Sequence, residues 1–522
     1  MKNFCLRVLA AAIILSLVVA LTSSLGARDP RSQERPLPPR AGVQLHGLSP
    51  GPQNGGSTPY HHYHFDRLPA GILTYEKFFD VPEAKYAEYD SASGIVPAGD
   101  GGIVISGSAS LWPPYPGIGR SDILAMEISP TGSVIWKVVF ESDPNAQCDN
   151  GSQDLIRTKD SGYLVVGSVA ETDVSDHKAV VLKIGSSGGV AWIKTFNTDN
   201  PEEWNQFDLA AETADGGYVL AGGANGFWLV KLDQKGDVLW TRVMTESYYV
   251  IPGSLQATPD NGFIVSGMPS ADGKMGIAKF DEDGNVQWQR VFVSDLNNVS
   301  GCDSPVYAGA NCLCLTSDNG YLVAGGIGCS CGEHSCFLGG WLCRLDQYGQ
   351  IIWQKGYSAF VPQRVFETKD GGVLVMDNSR GFLKLSSLGA AQWLRTTDYQ
   401  NDEVYSTSAF QTDEGSYIIL YENSYYTPLE NMKLGVMCLD PDGSSGSSCP
   451  FPREGTISEK NLSIRSVPGD AVNFQECSVK VGLLSYAPQY RPCRSATVCG
   501  DFNLGKVSEP PERSIPPLIR QK

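Results

Sequence analysis

Three observations predict an all-β fold: a turn-and-strand unit that recurs seven times, a tryptophan at the same place in six copies, and 57 glycines in 522 residues. Each unit has room for four short strands. Units of that size, repeating every 40–65 residues or so, build a β-propeller. The expected architecture is a seven-bladed β-propeller of four-stranded antiparallel blades, closed by an N-terminal strand.

One copy reads Ala214-Asp215-Gly216-Gly217-Tyr218-Val219-Leu220-Ala221-Gly222 and continues through Trp228-Leu229-Val230-Lys231-Leu232-Asp233. Gly236 and Val238-Leu239-Trp240 complete it. Glycine supplies the positive φ that tight hairpins need, and alternating apolar residues give each small sheet a face to pack on its neighbour. The recurring tryptophans are Trp136, Trp192, Trp240, Trp288, Trp353 and Trp393. The seventh copy lacks this strand and runs from Leu439-Asp440 into Pro441. Ahead of the first copy, Ile72–Phe79 matches Val134–Phe140 with Tyr75 in the tryptophan position. That segment is expected to complete the last blade and leave no dangling edge.

Outside the ring, residues 1–27 order charge, apolar core and small residues as a secretory signal peptide does. Residues 28–71 read as a flexible leader, 72–448 as the propeller, 449–505 as a cysteine-containing extension and 506–522 as a disordered tail. The expected location is secreted or periplasmic, with no membrane span after signal cleavage. A net charge of −17 disfavours nucleic acid as a partner.

The unit resembles the D-G-G-Y … W-L-x-K-L-D-x-x-G-x-x-x-W repeats of secreted bacterial and archaeal propeller proteins. More distantly it is similar to the quinoprotein-type repeats of dehydrogenases that bind pyrroloquinoline quinone. The matched positions are turn glycines and packing aromatics, so the resemblance implies a fold and no chemistry. Quinoproteins characteristically set two adjacent cysteines over the cofactor, and this chain has no Cys-Cys pair. No cofactor is expected.

Length varies in the connections between blades and between second and third strands, which share one face of a propeller. That face is the expected binding face, because loops there vary without disturbing the sheets. Its aromatics and carboxylates include Trp112, Tyr115, Glu202, Trp204 and Tyr249. Such groups stack on sugar rings and accept hydrogen bonds from hydroxyls, or hold a basic peptide. Polar residues at the entrance of the innermost strands, Gln153, Asp154, Asp208, Asn311, Gln363 and Arg364, are candidates to line the central channel.

Cysteines crowd the fifth blade (Cys302, Cys312, Cys314, Cys329, Cys331, Cys336, Cys343) and the C-terminal part (Cys438, Cys449, Cys477, Cys493, Cys499). In an exported chain disulfides are the default, here to pin the long fifth-blade loop and tie the tail to the ring. The alternative is a zinc site at Cys329, Cys331, His334 and Cys336, whose spacing is not diagnostic. Only His177 and His334 lie in the propeller body, which weighs against a histidine-based catalytic device. The leading expectation is a non-catalytic, monomeric scaffold that binds a carbohydrate or an extracellular protein. The alternatives are a polysaccharide hydrolase or lyase using carboxylates on the same face, and a metal- or redox-linked protein using the blade-five cysteines.

Overall fold

The computed structural model describes thirty-four strands between Tyr75 and Cys499 and the tight turns joining them. Residues 1–74, 500–522 and most of the longer loops lie outside the described residues. Successive strands pair antiparallel in groups of four. Blade 1 runs from Ala87–Pro97 to Val134–Phe140, blade 2 from Gly151–Arg157 to Val190–Thr198, and blade 3 from Asn205–Glu212 to Val238–Met244. Blade 4 runs from Ser254–Ala257 to Val286–Ser294, blade 5 from Cys312–Leu315 to Ile351–Tyr357, and blade 6 from Pro362–Glu367 to Ala391–Thr396. Blade 7 takes three strands from Glu403–Leu439 and its fourth, Tyr75–Asp80, from the N-terminal side. That strand lies along Lys433–Leu439 with Tyr75 opposite Cys438 and Phe79 opposite Leu434. This is a seven-bladed β-propeller.

The hydrophobic core is divided into seven clusters, one at each junction between neighbouring blades. The closing junction packs Ile105, Leu124 and Val139 of blade 1 on Ile418, Leu420 and Val436 of blade 7. A ring of this kind has no single centre to bury, so each repeat must carry residues for both of its faces.

The repeat letters acquire individual roles. In blade 3 the buried Lys231 ammonium lies 3.0 Å from Asp215 of the first hairpin turn, whose Oδ1 also accepts from Thr213 and the Gly217 amide. Burial alone would raise the Asp215 carboxyl, and these donors hold it below its ordinary value. The same device recurs as Lys183–Asp160, Lys279–Asp260, Lys384–Asp370 and Arg344–Asp318. Blade 1 breaks it with Glu127, which accepts the Trp136 indole N–H instead. The tryptophans act between blades: a Cβ added at Gly236 would stand 2.8 Å from the Trp192 ring of the preceding blade. Gly236 also has φ +77°, so geometry and contact both demand glycine there.

The C-terminal extension is part of the sheets. It pairs as a fifth strand with the outer edge of five blades, while Cys449, Cys477 and Cys493 lie outside the described residues. Arg453–Glu454 joins blade 6, Glu459–Lys460 blade 5, and Ile464–Pro468 blade 4. Val479–Leu483 then joins blade 2, and Arg494–Cys499 joins Tyr75–Asp80 in blade 7. The tail therefore travels backwards around the rim and ends on the strand that closes the ring.

Two expectations are corrected. The fifth-blade segment Gly326–Gly340, read as a long variable loop, is mostly ladder: Tyr321–Cys331 pairs with His334–Leu345 to its tip. Of the candidate disulfide cysteines, Cys312, Cys314, Cys343 and Cys438 carry thiols. Strand geometry keeps three of them apart, because Cys312 packs between blades 5 and 6, Cys343 between 4 and 5, and Cys438 between 7 and 1. Burial pushes the Cys312 and Cys438 thiols up to about 12, which leaves them chemically quiet.

Candidate functional site

The innermost strands of the blades surround the central channel, and in five of them the ladder shifts by one residue. The extra residues are Ser93, Gln153, Asp208, Gln363 and Thr407. Such a bulge leaves its residue unpaired and re-aims the side chain. In blades 1, 2 and 3 the repeat encodes the other half of the bulge as a glycine on the second strand. Blades 6 and 7 carry Asp377 and Tyr421 there. A Cβ at Gly222 would sit 2.0 Å from the Gln206 carbonyl oxygen, and Gly107 and Gly167 meet the same obstruction from Ser91 and Gly151. Gly222→Ala is therefore expected to cost about 1–3 kcal/mol by overpacking. Denaturant unfolding checks this, and an unchanged midpoint would remove the glycine's role in seating the bulge.

At the channel mouth these strands enclose a cavity of about 370 Å³ lined by Ser91, Ala92, Ser93, Ser108, Ser152, Gln153, Gln363, Arg364 and Thr407. Ser93 Oγ lies 2.8 Å from Ser106 Oγ and 2.7 Å from Ser152 Oγ. The Ser152 amide donates to Ser108 Oγ at 3.2 Å. Arg364 is clamped by two main-chain carbonyls: Nε donates to that of Thr407 at 3.2 Å and Nη1 to that of Gln363 at 3.1 Å.

Next to this cavity the polar residues join one blade to the next. Asp154 accepts from the Leu155 amide at 2.9 Å and, through its other oxygen, from Ala210 of blade 3 at 3.0 Å. Ser254 of blade 4 likewise accepts from the Leu313 amide of blade 5. These bonds satisfy main-chain groups on the channel-facing edge, which would otherwise go unpaired. Burial pushes the Asp154 carboxyl up, while the two amides and the Arg364 charge pull against it.

Asp208 is different. One of its oxygens, Oδ1, accepts from the Gln206 amide, and the other, Oδ2, is buried with no hydrogen-bond partner. Burial pushes this carboxyl up to about 7, against the Gln206 bond and with help from the Asp154 charge. Gln206 in turn accepts the Trp204 indole N–H at 3.3 Å. Trp204, 45% exposed, lies over His177 with ring centroids 3.4 Å apart and an interplanar angle of 15°. Trp204, Gln206 and Asp208 thus form a hydrogen-bonded line from the exposed indole to a buried carboxyl.

Of the residues named from sequence, Gln153, Gln363 and Arg364 line the cavity, and Asp154 and Asp208 lie close enough to feel each other's charge. Trp204 sits at the start of the blade 3 inner strand. Tyr115, Glu202 and Tyr249 lie outside the described residues, as do the side chains of Trp112, Cys331, His334 and Cys336. Cys302, Cys449, Cys477 and Cys493 lie outside them too, and Cys499 is described only through its backbone. Cys329 is buried and disulfide-bonded, so it offers no thiolate to zinc. Sequence reasoning passed over the hydroxyls of Ser91, Ser93, Ser108, Ser152 and Thr407. Aligning the blades on their second-strand glycines would have placed Ser93 beside Gln153 and Asp208. Blade 7 carries Tyr421 at that position, which leaves Thr407 without that marker.

No protein-family model matches the chain, and no curated protein matches it. Among solved structures it is similar to a protein of unknown function from Bacteroides caccae. The identity is 13% and the TM-score 0.30, over 54% of this chain and 94% of that one. It is also similar to the Dos1 propeller, at 10% identity and a TM-score of 0.39, over 68% of this chain and 94% of that one.

Proposed function

We propose that this protein is an extracytoplasmic, non-catalytic scaffold that binds carbohydrate at the mouth of its central channel. One observation carries the reading: a cavity of about 370 Å³ whose lining is almost wholly hydroxyl, amide and guanidinium. A pocket of that size suits a sugar or two, and hydroxyls and amides supply the paired donors and acceptors that sugar hydroxyls require. The exposed, pre-stacked Trp204 offers a second surface of the kind sugars pack against. The signal-peptide-like start supports export. Cys329 is disulfide-bonded, which accords with it.

The hydrolase reading is weaker, although a carboxyl raised to about 7 beside a second carboxylate invites it. Both oxygens of Asp154 are already held by backbone amides, so Asp154 is poorly placed to be a base or a nucleophile. A glycan screen with the purified chain, followed by calorimetry, tests the choice. Trp204→Ala or the double change Gln153→Ala with Gln363→Ala is expected to weaken the selected glycan about tenfold. Failure of every glycan to bind, or affinity indifferent to both variants, would refute the site; turnover of a polysaccharide panel would favour the hydrolase.

A further inference from the structure

Resting on that reading of the channel mouth, we infer that its ligand carries an oxyanion on a hydroxylated ring, the carboxylate of an acidic sugar, received by Arg364. Two backbone carbonyls fix the guanidinium plane from the Nε and Nη1 side. Among the described residues no group accepts from Nη2, and Arg364 lines the cavity. A guanidinium held in this way has its orientation settled before the ligand arrives, and a planar fork matches a carboxylate better than a single hydroxyl.

The charge around it points the same way. No carboxylate among the described residues lines the cavity. Among the described residues the carboxyl that feels the Arg364 charge is Asp154, and its oxygens face the amides of Leu155 and Ala210. Arg364 is thus, among the described residues, a cation without a direct acidic partner, in a chain of net charge −17. The hydroxyl of Ser91 and the amides of Gln153 and Gln363 stand around the same cavity, where ring hydroxyls of a bound sugar would fall. A simple anion would use the arginine and leave these groups idle. A neutral sugar would use them and leave the arginine unpaired.

Calorimetry with glucuronate, galacturonate and mannuronate, each beside its neutral parent hexose and with acetate as the ring-less control, tests this. At least one uronate is expected to bind about tenfold or more tighter than its hexose, with acetate weaker than either, and added salt should shrink the advantage. Arg364→Gln should bring the uronate-to-hexose ratio close to one. Arg364→Lys, which keeps the charge and loses the fork, should retain only part of it. Equal affinity for uronates and hexoses, or a ratio unmoved in Arg364→Gln, overturns the acidic-sugar assignment while the carbohydrate site stands. Binding of none of the sugars overturns both.

Discussion

A chain ending at residue 448 is expected to unfold far below the temperature of the full chain and to aggregate as it does. The missing segment supplies the outer strand of blades 6, 5, 4, 2 and 7. At about 1 kcal/mol net per hydrogen bond, the lost ladders amount to something on the order of 10 kcal/mol. The truncation also uncovers rows of unpaired N–H and C=O groups, which are templates for pairing with other chains. The closing strand Tyr75–Asp80 suffers most, since it would keep Lys433–Leu439 on one side and lose Arg494–Cys499 on the other. Thermal unfolding with light scattering measures both effects. A truncated chain that melts within a degree of the full one and stays monomeric would reduce the tail to decoration.

The second large effect concerns Asp208. Its folded pKa, about 7, stands above the ordinary 3.8, so between roughly pH 4 and 7 the folded chain keeps a proton that the unfolded chain has lost. Stability is therefore greatest at the acid end of that window and falls as pH rises through it. The ceiling is about 4 kcal/mol, since each pKa unit corresponds to about 1.4 kcal/mol. Asp208→Asn keeps an acceptor for Gln206 and removes the charge. The variant should match the parent near pH 4 and exceed it by about 2–4 kcal/mol at pH 8. Urea unfolding at both pH values decides the matter; parallel curves at pH 8 would mean that the Asp208 carboxylate is solvated or paired in the folded protein.

Much of the channel chemistry is written locally. Gln153, Asp208 and Gln363 could be named from their place at the entrance of inner strands, because the repeat fixes which residues follow each connection. The hydroxyls escaped notice because a bulge advances the alternation by one residue, so strict period-two reading turns Ser93 and Thr407 away from the channel. The Asp208 carboxyl is another such case: its raised pKa depends on burial among neighbouring strands and on Asp154 of the preceding blade. No stretch of blade 3 alone carries that information.

What the sequence determined by itself was the all-β class, the seven blades and the closing strand. Turn glycines, alternating apolar residues and tryptophans act within one repeat or on the next, and their spacing survives in the linear chain. Only the tertiary structure decided the route of the tail, the state of the cysteines and the residues facing the cavity. Two- to six-residue strands are too short to show a period, and they pair through main-chain groups that every sequence shares. Whether two cysteines meet likewise depends on which blade junction each strand face enters, and that is set when the ring closes.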